Sequence, residues 1–211
     1  TDCNEVSGNL KAKDSFTYKS ATGNLWTKTS WLQGGTNPVI TYGYDLYGNQ
    51  TSIKDARDHT TSIAYGSTRT FPETITNHLG HYVTKAYDPV FADKVATETD
   101  TNRNPTSYEY DDLGRLTKVT KPAPYGITEY VYQDFGTAAT QNIRVVAEDS
   151  SGILMHWEET YFDGLGRTWR EKSGGTGAST IIVDTEYNEQ GLQWRKSFPY
   201  FAGGAVYETT Y

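Results

Sequence analysis

The sequence predicts an all-β protein of consecutive antiparallel β-hairpins forming a curved sheet, and three observations predict it. A short phrase recurs in which an aromatic residue is followed by Asp or Asn and, four positions after the aromatic, by Gly. It reads YDLYG from Tyr44 to Gly48, YDDLG from Tyr110 to Gly114, FDGLG from Phe162 to Gly166 and YNEQG from Tyr187 to Gly191. A second class of turn, built on Asp, Asn and Gly without the aromatic, lies between these copies. The composition, with 17 Tyr, 7 Phe, 5 Trp and abundant Thr but no window of 3.6-residue periodicity, favours pleated sheet over helix.

Each copy of the phrase reads as the end of one strand, a tight turn and the start of the next. Tyr42 and Tyr44, like Tyr108 and Tyr110, are two residues apart and so share one face of an extended strand. Asp45, Asp111, Asp163 and Asn188 follow the aromatic, where the side-chain oxygen of Asx accepts from backbone two residues on. Gly48, Gly114, Gly166 and Gly191 supply the positive φ that other residues resist. Strand-like runs follow: LTKVT from Leu116, TWREK from Thr168 and QWRKS from Gln193. A looser copy, YKSATG, spans Tyr18 to Gly23.

The second turn class occurs at DARDHTT from Asp55, TNHLGHYVT from Thr76, DTNRNPTSY from Asp100 and DSSG from Asp149. Two alternating turn types give an up-and-down ribbon with hairpins on both edges, so that sequence neighbours are spatial neighbours. The stretches GGTNP at Gly34, KPAPYG at Lys121 and SGGTGAS at Ser173 read as loops between strands, not as linkers. The expectation is therefore a single continuous repeat region over residues 1–211. Only 36% of residues are hydrophobic and mean hydropathy is −0.68, so Tyr, Thr and Trp ladders must carry much of the packing in a thin wall.

Net charge is −7 and basic residues are scattered, which removes the electrostatic footprint of nucleic-acid binding. The sequence has no run of 18 apolar residues for a membrane span, and TDCNEVSGNL lacks the regions of a signal peptide, so any export signal is expected outside this chain. A single Cys3 has no internal disulfide partner, leaving a free thiol or an intermolecular bond.

The copies YEYDDLGRLTKVTKP (Tyr108 to Pro122) and TYFDGLGRTWREKSGG (Thr160 to Gly175), with the run from Gly80 to Asp111, closely resemble the RHS repeats, also called YD repeats. The resemblance spans roughly residues 14 to 211. The C-terminal SFPYFAGGAVYETTY is similar to the SxPYFxGG segment among the RHS repeats of bacterial Tc-type insecticidal toxins. What the resemblance implies is a segment of a sheet wound into a hollow shell or barrel. In Tc and polymorphic toxins such a shell encloses a toxic domain; in animal teneurins a related barrel belongs to an adhesion ectodomain. The DPxGxxDP-type motif of self-cleaving members is absent from the sequence, and that activity is not carried over.

Sites of chemistry are each outweighed by an architectural reading. Asp100, Asn102, Asn104 and Asp111 imitate calcium-loop spacing, but Pro105 sits where Gly belongs. His78 and His81 straddle Gly80 within a turn, while His59 and His156 read as surface or packing residues. No GxSxG elbow or glycosidase carboxylate pair stands out. Arg115 and Arg167, directly after the turn glycines, are placed to pair with Asp111 and Asp163 or to lie over aromatic rings. The reading is thus a non-enzymatic wall segment of a secreted or surface protein, without metal or cofactor. Its partners are the rest of its own polypeptide, an enclosed toxin domain, or other copies through unpaired edge strands. The alternative is an adhesion module binding glycan or protein through Trp26, Trp31, Trp157, Trp169 and Trp194.

Overall fold

A computed structural model describes residues 13–211, and Cys3 lies outside the described residues. Among the described residues every regular element is a strand, as the sequence predicts. The chain divides into two compact units, one holding residues up to Ala86 together with Glu98–Arg103, the other Tyr87–Thr97 with Asn104–Tyr211.

In the first unit, β1 (Asp14–Tyr18), β2 (Leu25–Ser30), β3 (Val39–Tyr44), β4 (Gln50–Lys54), β5 (Thr60–Tyr65), β6 (Pro72–Thr76) and β7 (Tyr82–Tyr87) pair in sequence order, each antiparallel to the next. The registers make this sheet two-faced. Thr17, Thr27 and Thr41 stand in one cross-strand row, Ser52, Ser62 and Thr76 in a second, and Thr74 and Thr84 in a third. On the opposite face Tyr42 opposes Ile53, and Ile63, Ile75 and Val83 form a row. The period of two gathers most Thr and Ser on one side, with Val39 and Tyr82 among them, and the Ile residues with Tyr42 and Val83 on the other, where Thr61 opposes Ile53.

β8 (Val95–Thr99) runs across the unit boundary. In the second unit β9 (Pro105–Tyr110), β10 (Leu116–Thr120), β11 (Ile127–Gln133), β12 (Asn142–Glu148), β13 (Leu154–Phe162), β14 (Thr168–Gly174) and β15 (Ile181–Tyr187) again pair in order. One face carries alternating charge across strands: Glu109, Lys118 and Glu129 in one row, Arg144, Glu159 and Lys172 in another. The other face holds Tyr108 beside Val119 and Tyr130 beside Val145.

The pairing then forks. β15 pairs with β16 (Gln193–Ser197) along Thr185–Tyr187 and with β17 (Tyr200–Phe201) along Ile181–Ile182, while β16 also pairs with β18 (Glu208–Thr210). Asp184 sits at the fork. Its backbone N–H donates to Ser197 Oγ at 2.9 Å, and its carboxylate receives Arg170 Nε at 2.6 Å, Arg170 Nη2 at 3.0 Å and Tyr200 Oη at 2.6 Å. Ser197 and Tyr200 are the first and fourth residues of the SFPYFAGG segment, so this motif closes the gap where one ladder gives way to two.

Val119 is the buried hydrophobic residue among those described, and none of the side chains described there is fully buried. Stability is therefore the sum of many cross-strand pairs at roughly 0.2 to 1 kcal/mol each. Close backbone approaches matter more in such a sheet than any one side chain. A Cβ on Gly126 (φ 77°) would collide with the Glu148 carbonyl and the Asp149 backbone, whereas one on Gly48 (φ 86°) meets nothing within 4 Å. Gly48→Ala is expected to cost about 1–2 kcal/mol, the conformational penalty alone, and Gly126→Ala clearly more; thermal melts of the two variants giving equal losses would refute this ranking.

Candidate functional site

Within each unit the residues singled out by the repeat lie in the turns along one edge of its hairpins. At the YDDLG copy, Asp111 Oδ1 accepts the N–H groups of Leu113 (3.0 Å) and Arg115 (2.9 Å), and Gly114 N–H (φ 73°) donates to Asp111 O at 2.8 Å. The other carboxylate oxygen receives Arg115 Nε at 2.7 Å and Nη2 at 2.6 Å. This fork fixes the guanidinium flat enough to lie 4.2 Å from the centroid of Tyr132, an aromatic of the next hairpin, and 5.9 Å from Phe135. Tyr132 Oη in turn donates back to Leu116 O, two residues past Gly114, at 3.0 Å. The result is a staple running Asp, Arg, next Tyr, previous strand.

The FDGLG copy repeats it. Asp163 Oδ1 accepts Leu165 and Arg167 N–H, both at 2.9 Å, and Oδ2 receives Arg167 Nε and Nη2, both at 2.7 Å. Arg167 lies 4.4 Å from the Tyr187 centroid, and Tyr187 Oη donates to Thr168 O at 2.8 Å. Phe162 holds the aromatic place without a hydroxyl; there the link to the preceding turn is Gln141, whose Nε2 donates to Phe162 O (3.2 Å) and Asp163 O (2.6 Å).

Where Arg is missing, other groups join neighbouring turns. Asp45 Oδ1 accepts Tyr47 and Asn49 N–H at 2.9 Å, and Asn49 Nδ2 bridges Asp45 Oδ2 (3.2 Å) to Arg69 O (2.7 Å). Arg69 then reaches back over Tyr47 at 4.6 Å, and Tyr65 Oη donates to Gln50 O at 3.2 Å. Lys19 Nζ lies 6.0 Å from the Tyr44 ring. Tyr110 Oη donates to Val95 O at 2.8 Å, and the Phe91 ring lies 3.4 Å from where a Cβ on Gly114 would stand. Asn188 accepts Leu192 N–H at 2.9 Å and Gly191 (φ 79°) closes that turn.

These bonds set the carboxylates' electrostatics. At Asp111 and Asp45 burial pulls the carboxyl upward, but the backbone N–H groups and the Arg115 or Asn49 side chain outweigh it and hold it below the usual range. At Asp163 the Arg167 N–H is the largest influence, burial opposes it, and the carboxyl again lies low. Burial likewise raises Asp184, and the bonds from Arg170 and Tyr200 overcome it.

The other singled-out groups are placed in local structure. Asp100 accepts Asn102 N–H at 2.8 Å as an Asx turn, and Asn77 accepts Leu79 and His81 N–H at 3.0 Å. His78 stacks on His59 with centroids 4.0 Å apart, and His59 Nδ1 lies 3.2 Å from Asp55. His156 is exposed beside Glu158. Among the described residues no group of three His, Cys, Asp or Glu is arranged to hold a metal ion, and no helix is long and apolar enough to cross a membrane. Trp26 and Trp194 are exposed, while Trp31, Trp157 and Trp169 are half-buried. Trp157 lies under Arg144 (5.5 Å) and covers Gly174; Trp169 packs edge-on to Tyr161 at 5.6 Å with Arg170 at 5.0 Å.

Sequence reasoning missed the copies at Tyr65, Tyr87 and Tyr132. Their signal is spacing: Tyr44, Tyr65, Tyr87, Tyr110 and Tyr132 recur every 21 to 23 residues. The Asp184 cluster left no periodic trace. Asp45, Asp111, Asp163 and Asp184 each have a folded value below the unfolded one, so their contribution is present above the unfolded value near about 4 and is lost as pH falls through the folded value. The melting temperature is expected to stay level from about pH 7 to 5 and to fall below about pH 4. In Asp163→Asn, which keeps the turn acceptor but loses the ion pair, the melt is lower at neutral pH and falls less steeply in acid. An acid slope identical to wild type in this variant would contradict the assignment.

Residues 92–124 match the model of the RHS repeat family. No curated protein matches the chain. Among solved structures, it is similar to a chain of the TcdB2-TccC3-Cdc42 structure at 12% identity, covering 93% of this chain and 12% of that one, with a TM-score of 0.47. A chain of TcdB2-TccC3 gives 15% identity, 95% and 13% coverage and a TM-score of 0.46. The Tc holotoxin pore of Photorhabdus luminescens gives 12% identity, 90% and 14% coverage and 0.44. The chain thus spans about an eighth of the length of these structures. The stapled turn at Asp111, Gly114 and Arg115 lies inside the matched segment, so this stretch of the chain is an RHS repeat.

Proposed function

We propose that the chain is wall: residues 1–211 form one continuous RHS/YD-repeat region of a longer polypeptide whose hairpins enclose or present a toxin-like domain. The observation that carries this reading is the fastening of one hairpin to the next, repeated from Arg115 to Tyr132 and from Arg167 to Tyr187. A contact that recurs with the repeat, and whose Asp, Arg and Tyr are spent on one another, serves continuity of the sheet. The RHS repeat at 92–124 supports the same reading.

Containment is steric. Uninterrupted backbone ladders leave no exit for an enclosed segment and no entry for a protease, so the repeats need no catalysis and no cofactor of their own. The partners are the remainder of the polypeptide or an enclosed domain, and the setting is a secreted or cell-surface protein.

The test is protease challenge of the full-length polypeptide. Sites in the enclosed domain are expected to survive trypsin in the native protein and to be cut at least tenfold faster in a Gly126→Ala variant at a temperature where that variant's ladder opens. Equal cleavage of the domain in both proteins would overturn containment.

A further inference from the structure

The YDLYG turn is charged differently from the other copies that carry Asp. In YDDLG and FDGLG one Arg is locked onto one Asp through Nε and Nη2 together, and the two charges cancel within the turn. In YDLYG a neutral residue takes the place of that Arg. Asp45 receives Tyr47 N–H, Asn49 N–H and Asn49 Nδ2, and its carboxylate is bonded without a cation. Two cations nevertheless approach from the turns on either side. Lys19, between β1 and β2, lies 6.0 Å from the Tyr44 ring, and Arg69, between β5 and β6, lies 4.6 Å from the Tyr47 ring. Arg69 acts on Asp45 through space, and among the described residues neither cation is in an ion pair with a carboxylate.

Both side chains line one cavity of about 370 Å³ that lies wholly within the first unit. That volume falls in the range of small-ligand sites, roughly 300–1,000 Å³. Thr22 and Asn24 add short polar groups to its wall. Thr22 Oγ1 accepts Asn24 N–H at 3.4 Å, which leaves the Thr22 hydroxyl proton and the Asn24 side-chain amide able to bond to a ligand. The Tyr44 ring and Leu46, which is fully exposed, supply apolar surface beside them.

We infer that this cavity is a binding site for an acidic saccharide, its carboxylate set between Lys19 and Arg69 and its ring against Tyr44 and Leu46. Two cations stand against the single carboxylate of Asp45, whose hydrogen bonds are already made, so the cavity carries a positive excess in a chain of net charge −7. An oxyanion is the complement of that excess, and charge-assisted bonds from guanidinium and ammonium to carboxylate are the strong ones. The hydroxyls of a sugar suit Thr22 and Asn24, and its apolar face suits an aromatic ring. The cavity is open to solvent and its charges are screened, so binding is weak, with a Kd on the order of 1–10 mM. The site belongs to one turn and its two neighbours and holds whatever the wall encloses.

Titration of the chain with sodium glucuronate, sodium acetate and glucose at constant ionic strength, followed by amide NMR shifts, tests it. Glucuronate is expected to give saturable shifts at Lys19, Asn24 and Arg69, at least threefold tighter than acetate, and glucose to give none. Arg69 has a φ of 53° where the two preceding turns hold Gly23 and Gly48, so Arg69→Gly suits the turn while removing the guanidinium. That variant is expected to lose at least fivefold in glucuronate affinity. Lys19→Gln, which leaves the backbone as it is, weakens binding likewise, and Arg57→Gln at the opposite edge does not. The inference is overturned by the lack of saturable shifts up to about 100 mM glucuronate, by equal affinity for acetate, by the same shifts with glucose, or by binding that survives both Arg69→Gly and Lys19→Gln.

Discussion

A guanidinium held by its own turn and laid over the aromatic of the following hairpin is the contact on which the rest of the sheet depends. Arg115 and Arg167 are both gripped by the Asp four residues earlier, so they are oriented before they meet Tyr132 and Tyr187. The Tyr hydroxyl then returns to the carbonyl just past the preceding turn. Backbone ladders fix neighbouring strands in register, and this contact fastens β10 to β11 and β14 to β15 beyond the last paired residues, Lys118 with Glu129 and Arg170 with Asp184. It converts a string of hairpins, each marginal alone, into a cooperative strip.

That cooperativity offsets the lack of a conventional core. No side chain among those described as buried is fully enclosed, and the registers place most Thr and Ser on one face of the first unit and Ile53, Ile63, Ile75 and Val83 on the other. A single layer with half-covered side chains gains little per residue, so its stability must come from repetition. The charged rows through Lys118 and Glu159 in the second unit fulfil the same role with ion pairs, which in half-exposed positions contribute modestly.

Much of this was legible in the residues. The Asp and Gly of YDLYG, YDDLG and FDGLG specify a turn by local chemistry, and the pairing of Asp111 with Arg115 follows from their spacing. The copies at Tyr65 and Tyr132 were hidden because their turns depart from the phrase: Arg69 takes a φ of 53° where Gly is expected, and Gln133 replaces the first Asx. Gln141 and the Arg170, Asp184 and Tyr200 cluster were not legible, since their partners come from strands whose register only the folded sheet supplies. The sidedness of the sheet is implicit in the period of two, but which strand faces align depends on bulges at most of the Tyr turns, as between Gly43 and Tyr44, while the ladder at Tyr132 runs without one.

A double-mutant cycle between Arg115 and Tyr132, using Arg115→Met, Tyr132→Leu and the pair, measures the hairpin-to-hairpin contact most directly. The staple predicts a coupling of about 0.5–1.5 kcal/mol in unfolding free energy. Additive losses, with a coupling indistinguishable from zero, would contradict it.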